Sequence, residues 1–280
     1  MRIIQSEEIT EKVSAMCIEA NCFLNDDIKN ALELGVKTEE SQTGREVLKS
    51  LLKNADIARE KVMPICQDTG MAVFFVEVGN EVLVSGKTLT EAINDGVAKG
   101  YTEGYLRKSV VKDPINRVNT NDNTPAVIYY DFVKGDKIKI TFAPKGFGSE
   151  NKGGLKMLNP SDGIEGVIDF VIETVRKAGA NPCPPMVVGI GIGGTMDKAA
   201  QLSKFALTRD INSKNENPYY AELEEKLLEK INLLGIGPQG LGGTVTALGV
   251  NIETFPTHIA GLPIAVNINC HATRHRVIFL

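Results

Sequence analysis

The hydrophobic pattern changes period near residue 60, and that change excludes both an all-helical and an all-β chain. Before it, apolar residues recur at helical spacing: Ile9, Val13, Met16, Cys17 and Ala20 share one face, and Val47, Leu48, Leu51, Leu52, Ala55 and Ala58 make another. Between them, Asp26 to Leu34 forms a helical segment closed by Gly35. From Met71 to Val78 the chain reads as a strand, and Val82 to Val84 can pair back on it across Gly79-Asn80. Thr90 to Lys99 is predicted as a helix ending at Gly100. Ala126 to Phe132 and Lys137 to Phe142, joined across Lys134-Gly135-Asp136, form the clearest hairpin. Beyond it come a helix over about 162–177, a buried strand from Met186 to Ile190, and helices near 198–207 and 218–233. The pattern predicts an α+β fold over 1–280 as one domain, with N-terminal helices (about 1–60) packed on a largely antiparallel or mixed β-sheet.

A chain of 280 residues can bury its core without disulfide or metal staples, so folding does not demand its cysteines. Hydrophobic residues at 42% and charged residues at 24% argue against extended disorder. The net charge of −4, with Lys and Arg scattered among Asp and Glu, offers no field for a phosphate backbone, so no nucleic-acid partner is expected. No apolar run approaches the roughly 18 residues of a membrane span, so no membrane partner is expected either. Glu7, Glu8, Glu11 and Lys12 stand where a secretory peptide needs an apolar stretch. The expected location is the cytoplasm, with the five cysteines reduced rather than paired.

Three glycine-rich segments invite a nucleotide reading. Gly189-Ile190-Gly191-Ile192-Gly193-Gly194 fits the dinucleotide fingerprint after an apolar strand, but the expected second strand with a terminal acid is replaced by the polar Asp210-Ile211-Asn212-Ser213 loop. Ser85-Gly86-Lys87-Thr88 ends like a phosphate loop, yet Glu81 occupies the leading glycine position. Lys145 to Gly154 is a polar glycine loop able to offer backbone N–H groups to an anion. A nucleotide-binding module built on Gly189 to Gly194 is therefore the rival from a different functional class.

The cysteines divide by their surroundings. Cys17 lies on the apolar face of the first helix and reads as core, and Cys22 as a half-buried thiol in the connection that follows. Cys66, Cys183 and Cys270 instead sit beside Pro, Asn, Gln or His in irregular segments, a setting that suits metal ligands. Their spacing contains no C-x-x-C and fixes nothing by itself. If they converge, a structural zinc is one outcome. The other is an iron–sulfur cubane, usually held by four cysteines, which would then keep one iron open as a Lewis acid toward hydroxide loss.

Taken in order, the segments Pro64-Ile65-Cys66-Gln67-Asp68-Thr69-Gly70, Asn119 to Pro125, the 145–154 loop, Asn181-Pro182-Cys183-Pro184-Pro185 with Gly189 to Thr195, and Asn267-Ile268-Asn269-Cys270-His271-Ala272 carry a specific likeness. The chain resembles the α subunit of class I, iron–sulfur-dependent fumarate hydratases and of the related L(+)-tartrate dehydratases, from about residue 10 to the end. The resemblance implies a [4Fe–4S] cluster on Cys66, Cys183 and Cys270, whose loops would converge. It also implies substrate contacts from Gln67, Asp68, Arg107, Gly148 and His258, with Asp68 and His258 as catalytic groups. His271 and His275 would support the ligand loop. The sequence stops ten residues after Cys270, without the second domain of single-chain members. The expectation is a separate β subunit that removes the carbon proton, an α/β heterotetramer, and a small dicarboxylic acid as substrate: fumarate and malate first, tartrate as the alternative.

Overall fold

In the computed structural model, which describes residues 1–280, the first half runs β1 (Arg2–Gln5), α1 (Ser6–Cys22), α2 (Asp26–Thr38), α3 (Gln42–Lys61), β2 (Met71–Gly79), β3 (Val82–Ser85), α4 (Leu89–Glu103), β4 (Val127–Val133) and β5 (Ile138–Lys145). The second half continues α5 (Phe147–Glu150), β6 (Gly154–Leu158), α6 (Gly163–Ala178), β7 (Met186–Gly193), α7 (Met196–Ala206), α8 (Pro218–Asn232), β8 (Ala247–Phe255), β9 (Leu262–Asn269) and β10 (Arg276–Phe279). The fold is mixed α+β, and no helix is long and apolar enough to cross a membrane. The chain divides into two compact units: Met1–Leu24 with Ala55–Phe147 and Arg274–Leu280, and Asn25–Asn54 with Gly148–Thr273.

The first unit contains a four-stranded sheet in the order β10-β5-β2-β4, and a separate parallel pair of β1 and β3. β2 lies centrally, antiparallel to β5 and parallel to β4. Two sequence expectations fail here. β4 and β5 do not pair as a hairpin, because β2 inserts between them and the 134–137 connection folds around its end. Gly79 N–H donates to Lys137 O at 2.9 Å and Glu81 N–H to Gly135 O at 2.9 Å. A Cβ at Gly79 would sit 2.4 Å from Gly135 O, so a glycine is required for that wrap. β3 likewise pairs with β1 rather than back on β2. On one side of the sheet α1 crosses α4 so closely that a Cβ at Gly100 would lie 2.7 Å from Ser14 O. Gly100 therefore marks helix contact inside α4 and does not end it.

The second unit is built on the sheet β6-β9-β7-β8, in which β7 is parallel to β8 and antiparallel to β9. Every residue of β7 is buried, and its faces differ by period-2 alternation. Val188, Ile190 and Ile192 pack into a core with Val171 and Val175 of α6 and Leu227 and Ile231 of α8. Gly189 and Gly191 face α7, where a Cβ would come within 2.2 Å of Ser203 O and 2.1 Å of Ala199 O. The glycine fingerprint thus lies within the strand, where it lets a helix approach; it does not form a turn after the strand as phosphate binding requires.

A buried carboxylate organises this unit's glycine-rich segment between α8 and β8. Glu39, 1% exposed, accepts from the N–H groups of Ser41, Thr244 and Val245 at 2.8 to 2.9 Å. Burial works against its ionised form, but these bonds outweigh it and hold the pKa below the ordinary glutamate value. A depressed folded-state pKa means stability present above the unfolded value and lost as pH falls through the folded one. Melting temperature should therefore fall as pH drops below about 4.3, the ordinary glutamate pKa. Glu39→Gln should melt lower at neutral pH and show a shallower acid slope; parallel pH profiles for the two proteins would refute this assignment.

Candidate active site

Cys66 lies in the loop between α3 and β2, which buried polar groups of the first unit hold from several directions. Tyr101 Oη donates to Thr69 O at 2.8 Å, and Asn123 Nδ2 donates to Gly70 O at 3.2 Å. The Arg274 guanidinium, itself buried, donates to Asp68 O at 2.7 Å and to Asn21 Oδ1 at 3.2 Å, while Ile65 N–H donates to Asn21 O at 2.9 Å. Burial pushes the Tyr101 phenol well up, which keeps it a neutral donor. Such over-determination fixes a short loop whose own residues supply no regular secondary structure.

The Asp68 carboxylate is part of this frame. Its Oδ1 accepts Gly70 N–H at 3.0 Å, and its Oδ2 accepts Phe147 N–H at 2.9 Å at the start of α5. One oxygen thus tightens the Cys66 loop and the other ties it to the glycine loop, leaving each with acceptor capacity. Gln67 beside it is exposed. Thr69 draws in Arg107: Arg107 N–H donates to Thr69 Oγ1 at 2.9 Å, and that hydroxyl donates to Arg107 O at 3.2 Å. The Arg107 side chain is exposed and forms no ion pair with an acid, whereas Arg117 bonds locally to Pro114 O.

In the second unit, Cys183 precedes β7 and Cys270 follows β9. Because these strands are antiparallel, with Val187 opposite Asn269, both cysteines stand at one end of the sheet. His271 links their loops: its N–H donates to Cys183 O at 3.3 Å, and its Nδ1 lies 3.0 Å from the same oxygen. Gln239 meets the pair, with its amide nitrogen 3.1 Å from His271 Nδ1 and donating to Pro184 O at 2.8 Å.

Gly148 is exposed in the first turn of α5, and a Cβ there would meet nothing within 4 Å. Packing does not demand this glycine. Nearby, Glu150 accepts from Lys204 Nζ at 2.5 Å and from Asn267 Nδ2 at 3.1 Å. Asn267 lies three residues before Cys270, and its Oδ1 is buried without a hydrogen-bond partner.

His258 is elsewhere. It occupies the exposed turn between β8 and β9, where its Nδ1 accepts Ala260 N–H at 3.2 Å and Thr257 Oγ1 donates to Gly194 O at 2.9 Å. Gly194 follows the C-terminal end of β7, so His258 sits at the end of the sheet opposite Cys183 and Cys270. At about 3.3 Å per residue, the length of β9 separates it from Cys270 by roughly 25 Å.

No three His, Cys, Asp or Glu side chains are gathered into a metal-binding group. The donor set nonetheless suits a thiolate-bound cluster. No disulfide joins any of the five cysteines, and Cys17 and Cys22 are buried, with burial driving both thiols' pKa upward. Cys22 is the last residue of α1, deeper than the half-buried connection expected for it. Cys66 and Cys270 are partly accessible and Cys183 is exposed, each on a loop. Soft, accessible thiols on irregular backbone fit iron–sulfur ligation better than packing.

No sequence motif assigns a role to Asn21, Tyr101, Asn123, Arg274 or Gln239. Asn123 belongs to the Asn119 to Pro125 segment, and only the composition of that segment points to it.

The family described as Fumarate hydratase (Fumerase) matches residues 10–278. A protein of Methanocaldococcus jannaschii named putative L(+)-tartrate dehydratase subunit alpha is 45% identical over 276 residues, covering 96% of each chain. One of Escherichia coli strain UTI89, named L(+)-tartrate dehydratase subunit alpha, is 35% identical over 271 residues, covering 95% of this chain and 89% of its own.

Proposed function

Because the chain belongs to the fumarate hydratase (Fumerase) family, we propose that it is the α subunit of an iron–sulfur hydro-lyase that adds water to fumarate to give L-malate. The family match across residues 10–278 carries this reading. Cys66, Cys183 and Cys270 would hold a [4Fe–4S] cluster, which supplies a Lewis-acidic iron with an open position. The remaining roles fall to the chain's own side chains. Arg107, tied by its backbone to Thr69 and without an acidic partner, grips a substrate carboxylate in a two-pronged hydrogen bond. Asp68, held in orientation by two backbone N–H groups, keeps acceptor capacity for the proton of the added water. Gln67 orients the substrate from the same loop, and Gly148 leaves room for it to approach the backbone.

The proton on the substrate carbon is handled by a separate β subunit, in keeping with the relatives' names as alpha subunits. An α/β heterotetramer in the cytoplasm brings two copies of this chain together. His258, a strand length from Cys270 within one copy, then serves the site of the other copy. A second reading, dehydration of L(+)-tartrate to oxaloacetate, is favoured by the names of the 45% and 35% identical relatives.

Anaerobic purification with and without a co-expressed β chain tests both. Iron and acid-labile sulfide, fumarate-dependent loss of ultraviolet absorbance, and oxaloacetate formation from tartrate are measured side by side. Cluster with fumarate turnover only in the presence of β is expected. Oxaloacetate formation alone would select the second reading, and reconstituted protein without iron would refute both.

A further inference from the structure

Gln239 occupies a turn between α8 and β8 with φ +54° and ψ +18°, in the left-handed region that disfavours a side chain. Its neighbours Gly237, Gly240, Gly242 and Gly243 also have positive φ, and all are glycine. At Gln239 alone in this run, a strained backbone is kept together with a long polar side chain.

That side chain and its backbone converge on the two cysteine loops. Gln239 N–H and Nε2 both donate to Pro184 O, at 2.7 and 2.8 Å. The same amide nitrogen is 3.1 Å from Nδ1 of His271, the residue after Cys270, whose ring and N–H both face Cys183 O. Cys183 is itself left-handed, at φ +55°, so its loop needs outside support to keep that shape. We propose that Gln239 is a positioning residue that braces the Cys183 and Cys270 loops at the spacing a shared cluster requires. This rests on the reading of both cysteines as cluster ligands. The hydrogen bonds of Gln239 run to Pro184 and His271, and it acts through them, as outer-shell partners of metal ligands commonly do.

The test compares the full-length wild-type chain with Gln239→Met, which keeps the volume and loses the amide, and Gln239→Gly, which loses the amide and relieves the backbone. After anaerobic reconstitution, the half-life of the cluster's visible absorbance on exposure to air should shorten by about 10-fold or more in both variants. The electron paramagnetic resonance signal of the reduced cluster should broaden or shift. Hydrogen exchange at His271 N–H, read on the metal-free chain, should accelerate while exchange in β2 stays unchanged. The Gly variant separates bracing from simple destabilisation, because its backbone is more at ease. Wild-type cluster lifetime and spectrum in both variants would overturn the proposal. Faster His271 exchange in a protein whose wild type takes up no iron would instead overturn the cluster reading and leave the brace standing.

Discussion

Cys183→Ala should strip the bound iron and lower turnover by at least about 10³-fold, since it removes a ligand of the group worth several kcal/mol of transition-state stabilisation. It should do so with little change in melting temperature, because Cys183 is exposed and its side chain fills no core. Cys17→Ala should give the reverse. Cys17 is fully buried on α1 against α4, where a Cβ at Gly100 would approach its own Cβ to 2.8 Å. Truncating it should cost about 1–2 kcal/mol of stability and leave iron content and turnover per folded molecule intact. The crossed result separates ligand from packing residue by two measurements on two variants. Iron retained at the wild-type ratio in Cys183→Ala would remove Cys183 from the ligand set.

His258 gives the second large effect, and which site loses turnover depends on the copy that is altered. A histidine acting on a substrate proton or charge contributes about 10²-fold or more, so His258→Asn should lower turnover by that order. Roughly 25 Å from Cys270 along β9, it is out of reach of a substrate held at its own copy's cysteines. Copies carrying His258→Asn and copies carrying Cys270→Ala should each be nearly inactive as uniform assemblies. Mixed during co-expression, they should recover activity, because the assembly then contains sites with an intact cysteine set facing an intact His258. Failure of the mixture to exceed either parent, with mixed assembly verified by mass, would exclude a shared site. Full activity of the uniform His258→Asn protein would remove the histidine from catalysis altogether.

Cys183 and Cys270 share one end of the second unit's sheet because β7 and β9 run antiparallel in a defined register. The Phe255–Leu262 turn carrying His258 is fixed at the other end through Thr257 and Gly194. No side-chain rotation exchanges these positions. On the proposed reading, His258 therefore serves a site whose Cys183 and Cys270 belong to another copy.

Much of this protein was legible in local sequence. The stripes from Ile9 to Ala58 lie on α1, α2 and α3, because helical periodicity is set by residues three and four apart. Neighbours placed four of the five cysteines: Cys17, in an apolar stripe, is core, while Cys66, Cys183 and Cys270, among Pro, Asn and Gln, lie on accessible loops; Cys22 is instead buried at the end of α1. Strand pairing was not legible, since partner choice depends on segments far apart in the chain. Nothing local to β4 and β5 announces that β2 lies between them. The meaning of Gly189 and Gly191 was equally hidden, because the same glycines that can approach a phosphate can admit α7. The polar frame escaped for the same reason: Arg274 bonds Asp68 O across 206 residues, and Gln239 bonds Pro184 O across 55. Sequence alone determined which cysteines stand on accessible loops and where the long helices form, because both follow from near neighbours. Only the tertiary structure decided what braces those residues and how far His258 stands from Cys270, because buried hydrogen bonds and strand register are satisfied between distant parts of the chain.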